Sequence, residues 1–172
     1  MPLNEISEGL SQLFGEHHRR ILTAAYRITG SMADAEDVTQ GIFLRLAKAG
    51  GQPITNAGSY LYRAAINASL DLLRQRKVAA AEPLELAADV ASASRSPEAE
   101  ASGRQLGASL RLAIAELPPR AAEMFSLRYL EDFDNREIAA LLQTSQAVVA
   151  VTLHNARSRL KKRLSELERG TK

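Results

Sequence analysis

Five cations fall within seven residues near one end of the chain, Arg157, Arg159, Lys161, Lys162 and Arg163, with no acid among them. The chemistry open to such a run is electrostatic: it can hold phosphates, or it can complement the dipole at a helix C-terminus. Covalent chemistry finds less support. There is no cysteine, so thiol nucleophiles, disulfides and thiolate metal sites are excluded. His17 and His18 are consecutive, and a helix would turn them about 100° apart, too far round to close on one metal. No glycine-rich phosphate loop precedes a helix. Neither a catalytic site nor a metal nor a cofactor is therefore expected, and the chemistry to explain is binding.

The elements that must position those cations follow from composition and period. Ala, Leu, Arg and Glu dominate, aromatic residues make up 5% and prolines number six, which favours helix throughout. The fold class expected is all-α. Leu10, Leu13, Phe14, Ile21, Leu22 and Ala25 recur at three- and four-residue steps and predict a first helix that stops at Gly30. Ser31 can cap a second, with Asp34, Glu36 and Asp37 in its first turn and Val38, Ile42 and Leu46 on its buried face, ending near Gly50-Gly51. Residues 50–58 read as a loop. A third helix then runs from Ser59 to about Lys77, with Leu61, Ala65, Ala68 and Leu72 as its inner stripe.

Residues 78–103 change character, with Ala and Ser runs, Pro83, Pro97 and five acids. They predict a flexible linker about 25 residues long with a reach of roughly 25 to 30 Å. Helix resumes near Gly103 up to Pro118-Pro119 and again over 120–130. Asp134 with Glu137 makes a capping box for a short helix carrying Ile138, Ala139, Leu141 and Leu142. Gln143-Thr144 turn the chain, Ser145 caps a last helix, and Val149, Leu153, Ala156, Leu160, Leu164 and Leu167 form its stripe. A short helix, a tight turn and a longer helix is the geometry that offers the second helix to a major groove. Beside this turn the cation run becomes a phosphate clamp.

The expected organisation is thus a bundle of three to four helices over 1–77, a linker over 78–103, and a four-helix domain with a helix-turn-helix over 104–172. Residues 1–77 hold nine basic and seven acidic groups, 78–103 one and five, and 104–172 twelve and eight. Two basic bodies on an acidic connector suit an anionic partner touched in two places. No apolar run approaches the ~18 residues of a membrane span. Met1 to Ser11 carries Glu5 and Glu8 instead of a basic start and apolar run, so neither a signal peptide nor membrane insertion is expected, and the expected location is cytoplasmic.

Taken in order, three stretches of this sequence resemble a known family. They are Asp34-Ala35-Glu36-Asp37-Val38-Thr39-Gln40-Gly41-Ile42-Phe43-Leu44-Arg45-Leu46; then Ser59-Tyr60-Leu61-Tyr62-Arg63-Ala64-Ala65-Ile66-Asn67 with Asp71 and Arg74; and Glu116-Leu117-Pro118-Pro119-Arg120 with Phe125, Leu127-Arg128-Tyr129-Leu130 and Glu137-Ile138-Ala139. The family is the extracytoplasmic-function sigma factors of the sigma-70 group, small two-domain specificity subunits of bacterial RNA polymerase. The resemblance implies that Asp34, Glu36, Asp37, Gln40, Phe43, Leu44 and Arg45 dock on core polymerase, at the β′ clamp. It implies that Asn56, Ser59, Tyr60, Tyr62, Arg63 and Asn67 capture unstacked bases of the minus-ten element, with Arg74, Arg76 and Lys77 on phosphates. It implies that Ser145, Gln146, Val148, Thr152, His154 and Asn155 face the minus-thirty-five element, with Arg157, Lys161 and Lys162 on its backbone. The implied partners are core polymerase (β′ clamp and β flap), promoter DNA and an anti-sigma factor.

The sequence also departs from that family. Gln143 stands where a turn Gly is usual, Ala150, Thr152 and Asn155 stand at usually basic positions, Val148 and Val151 replace smaller polar residues, and Gly41 replaces a Glu. Each lost bidentate Arg–guanine contact removes roughly 1–3 kcal/mol of base discrimination. The expected function is an alternative sigma factor that directs promoter recognition and transcription initiation. The alternative is a divergent sigma-like regulator that docks on polymerase and takes its upstream address from another protein. A free-standing repressor would leave the acidic helix and the 50–58 loop unexplained.

Overall fold

The computed structural model describes residues 3–50, 54–80 and 97–170. Seven helices carry them: α1 (Leu3–Thr29), α2 (Met32–Lys48), α3 (Ala57–Ala80), α4 (Pro97–Ala115), α5 (Pro119–Tyr129), α6 (Asn135–Leu141) and α7 (Gln146–Gly170). The all-α class is as the composition dictates. Gly30 ends α1 at φ +70°, a left-handed conformation open to glycine, and its N–H closes the last turn on the Tyr26 carbonyl at 2.8 Å. Ser31 then caps α2, its hydroxyl accepting from the Asp34 N–H at 3.3 Å.

Three boundaries differ from the sequence reading. Helix α3 starts at Ala57, so Gly58 belongs to its first turn rather than to the loop. The reason is Asn56, which takes φ +56° and accepts the Ser59 N–H on its side chain at 3.3 Å, performing a cap. Helix also extends into both ends of the expected linker: α3 runs on to Ala80, and α4 begins at Pro97 with Glu98 and Glu100 in its first turn. A proline at the first helical position and acids beside the positive dipole end suit such a start. The middle of that linker, residues 81–96, and residues 51–53 of the expected loop lie outside the described residues.

Helices α1, α2 and α3 enclose a first core of Ile21, Ala25, Ala35, Val38, Ile42, Phe43, Leu61 and Ala65. The second core joins Ala113, Ile114, Met124, Leu127, Ile138, Val149, Leu153 and Leu160 of α4–α7, and it also takes in Ala24 and Ile28 of α1 and Tyr62, Ile66, Leu70 and Leu73 of α3. Helix α3 is therefore buried on two faces. The second stripe, Tyr62, Ile66, Leu70 and Leu73, steps by four, four and three residues, a full apolar face in its own right. Each of these side chains contributes about 1.5–3 kcal/mol by leaving water. That is enough to hold the two helical bodies together through α3.

Candidate nucleic-acid interface

The helix-turn-helix is built from local rules. Asp134 and Glu137 form the reciprocal capping box at the start of α6, each side chain 2.8 Å from the other residue's N–H. At the other end the Thr144 N–H reaches the Ala139 carbonyl at 2.9 Å and the Gln143 N–H the Ala140 carbonyl at 3.4 Å. This is a Schellman closure, and Gln143 occupies its left-handed position at φ +52°. Ser145 caps α7 through the Val148 N–H at 3.2 Å. Val149, Leu153, Ala156 and Leu160 then lie buried against the second core and fix the roll of α7 about its axis.

That roll decides what α7 shows to solvent. Val148, Val151, Asn155, Arg159 and Lys162 recur at three- and four-residue steps on the side away from the core, and all are exposed, Val148 at 47% and Val151 at 61%. Ser145, Gln146 and His154 are exposed around this face, and Thr152 is half-buried at its edge. The cation run parts. Arg157 sits about 180° round the helix from Val148, and with Lys161 it lines a groove with Leu110, Phe125, Leu160 and Leu164. Arg163 pairs with Glu116 at 3.2 Å and with Glu166 at 3.7 Å. So Arg159 and Lys162 share the open face, while Arg157 and Lys161 lie round the helix from it, beside the groove. Arg159, part of the cation run expected to clamp phosphates, reaches the open face through its four-residue step from Asn155.

On α2, Glu36, Asp37, Gln40 and Leu44 form one exposed stripe, Leu44 at 60%, with exposed Arg45 beside it. Two residues expected on that surface are elsewhere. Asp34 is buried and its carboxylate is gripped by the Arg76 guanidinium of α3. Phe43 is in the first core, edge-on to Phe14 with ring centroids 5.0 Å apart. The rule that acids gather in the first turn of a helix is obeyed, but only the acids off the core side remain for a partner.

The expected minus-ten residues of α3 are mostly occupied by the chain itself. Tyr62 is buried; its hydroxyl donates to Glu131, its ring stacks on Phe133 at 5.6 Å, and the Arg20 guanidinium lies 4.4 Å from the ring centroid. Burial, and then the hydrogen bond to Glu131, push its phenol well above the usual range. Arg63 holds Glu123 through two bonds of 2.8 and 3.3 Å, and the Asn67 amide donates to the same carboxylate at 3.1 Å. Arg74 donates to the Ala115 carbonyl and to Asp71, both at 2.7 Å, and Lys77 pairs with Glu116. Burial alone would raise the Glu116 carboxyl, but the hydrogen bond and charge of Lys77, together with Arg163, more than offset it and hold it below the usual carboxylate range. Asn56 serves as the cap of α3, Ser59 is half-buried, and Tyr60 stays 51% exposed.

Three carboxylates thus complete this face: Glu116, which the sequence offers only as part of a family stretch, and Glu123 and Glu131, which it does not single out. No helix among the described residues is long and apolar enough to cross a membrane. Among them too, no three His, Cys, Asp or Glu residues are grouped to hold a metal.

Comparison with known proteins bears on both bodies. Residues 13–78 match sigma-70 region 2, and residues 107–160 match sigma-70 region 4. RNA polymerase sigma factor CarQ of Myxococcus xanthus is 31% identical over 164 residues, 94% of this chain and 92% of that protein. The chain belongs to the extracytoplasmic-function RNA polymerase sigma factors. These are the alternative sigma factors that direct promoter recognition and transcription initiation. ECF sigma factor SigW of Bacillus subtilis is 25% identical over 179 residues, 96% of each chain, and ECF sigma factor SigE of Mycolicibacterium smegmatis is 32% identical over 158 residues. The chain spans 61% of the length of SigE. In this sigma factor, region 2 coincides with α1–α3 and region 4 with α4–α7 up to Leu160, so the match falls on the two helical bodies just described.

Proposed function

We propose that this sigma factor holds core RNA polymerase through the exposed stripe Glu36, Asp37, Gln40 and Leu44 with Arg45, and reads upstream promoter DNA through the open face of α7. The observation that carries the reading is the presence of both regions, in order, with the second helix of the helix-turn-helix uncovered. An acidic and apolar stripe suits a basic partner helix such as that of a polymerase clamp. Glutamine and asparagine amides at Gln146 and Asn155 pair with adenine edges, while Arg159 and Lys162 reach phosphates. Tyr60, Tyr62, Arg63 and Asn67 serve the minus-ten element once α3 is free. A cytoplasmic place goes with this role, and an anti-sigma factor is the remaining partner of the reading.

A second reading is favoured by one observation: Val148 and Val151 expose apolar surface at the centre of the face that should meet bases. Surface of that kind suits a protein contact, which would make region 4 the seat of a regulator. Mixing the purified chain with core polymerase and a promoter library separates the two. Transcripts whose start sites share an upstream consensus support the first reading. Polymerase binding without such a consensus supports the second, and no polymerase binding defeats both.

A further inference from the structure

Val148 and Val151 are exposed one turn apart on α7, and Asn155 follows on the same side one turn further on. At a rise of about 1.5 Å per residue the three side chains span roughly 10 Å, the length of about three stacked base pairs. Arg159 and Lys162 continue that side, and α7 holds no acid before Glu166. A face of that charge complements a polyanion, so the two valines at its centre are set to meet base edges. In a major groove only thymine offers a methyl group. Guanine and cytosine present polar atoms that a valine would bury unpaired, at a cost. Guanine is read most often by Arg or Lys, and neither occurs from Gln146 to Ala156. The amides of Gln146 and Asn155 suit adenine, the partner of thymine. Apolar and amide side chains therefore favour the same base pair from its two ends.

We infer that Val148 and Val151 determine the specificity of α7 by packing on thymine C5-methyl groups, so that the upstream element of this sigma factor is built of A·T pairs. This rests on the reading of α7 as the part that meets upstream DNA. Arg159 and Lys162 then hold phosphates, which fix the register of the helix on the duplex without choosing a sequence.

The test uses the full chain on core polymerase, selecting bound duplexes from a promoter library. The expected upstream consensus is a run of A·T pairs. In a selected duplex each upstream thymine is then replaced by uracil, which keeps the hydrogen-bonding groups and removes only the methyl. At one or two positions binding should weaken about fourfold, what one buried methyl group contributes. Holoenzyme carrying V148S/V151S should bind the thymine and uracil duplexes equally. Both valines are exposed, so the change spares the core, and the single variant V151S should already lose part of the discrimination. A consensus led by G·C pairs overturns the inference and leaves α7 as the reader. So does an A·T consensus at which uracil binds as well as thymine, or a preference for thymine that survives V148S/V151S. Polymerase binding with no upstream consensus overturns the inference and the α7 reading together, and gives the two valines to a protein partner.

Discussion

Replacing Gln143 with Gly should stabilise this sigma factor, although glycine is usually the residue that weakens a helical protein. Gln143 sits at φ +52° in a turn closed by two backbone bonds, from its own N–H to Ala140 at 3.4 Å and from Thr144 to Ala139 at 2.9 Å. A side-chain-bearing residue in that conformation costs about 1–2 kcal/mol. Glycine removes this cost and gives back about 0.5–1 kcal/mol through the greater freedom of its unfolded chain. The Gln143 side chain is exposed, so no packing is lost. The net gain is about 0.5–1 kcal/mol, or roughly 1–4 °C in midpoint if a chain of this size melts as one unit. Thermal and urea unfolding followed by far-UV circular dichroism measure it directly. Gly30 supplies the mirror experiment: at φ +70°, and with a new Cβ only 2.5 Å from the Arg111 guanidinium carbon, Gly30→Gln should cost about 1–2 kcal/mol. If Gln143→Gly lowers the midpoint, the left-handed closure of the helix-turn-helix is wrong.

Tyr62→Phe removes the hydroxyl that donates to the buried Glu131 carboxylate and leaves Arg27 as its remaining bonded partner, so urea unfolding should show a loss of about 1.5–3 kcal/mol; a loss near zero would mean that water already replaces the phenol. Neutralising Arg159 and Lys162 to Ala should reduce the slope of log affinity against log salt for duplex DNA by about 2, whereas equal slopes before and after would remove the open face of α7 from phosphate contact. The depressed Glu116 carboxyl stabilises the folded chain above its unfolded value of 4.5, and that contribution is lost as pH falls through the lower folded value. The urea midpoint of the parent should therefore fall more steeply below that point than the midpoint of Glu116→Gln, and parallel curves would show that Lys77 and Arg163 do not hold it.

Much of this structure is legible in the sequence because it is local. Ser31, Asp134 and Ser145 sit where caps belong, Gly30 where a helix must stop, and Val149, Leu153, Ala156 and Leu160 where α7 must be buried; each depends on neighbours within a few residues. The starts of α3 and α4 escape such a reading for the same reason in reverse, since Asn56 as a left-handed cap looks like loop composition, and Pro97 with two acids looks like linker. What spacing could not reveal was the ownership of the polar face of α3. Arg63 and Glu123 are 60 residues apart, Tyr62 and Glu131 69, and no periodicity links them.

The second apolar stripe of α3 is readable, for Tyr62, Ile66, Leu70 and Leu73 keep helical step, yet Tyr62 and its polar neighbours are also the groups that suit DNA. That conflict is physical rather than accidental. A surface able to hold a polyanion carries guanidinium, ammonium, amide and phenol groups with flanking apolar area, and carboxylates of the same chain, Glu123 on α5 and Glu116 and Glu131 beside its two ends, meet Arg63, Lys77, Asn67 and Tyr62 here. Covalent connection raises the effective concentration of those acids, so a contact within the chain competes with any polyanion offered to the same groups. A residue pattern suited to a polyanion is therefore also one that the protein's own acids can occupy, as Glu116, Glu123 and Glu131 do along α3.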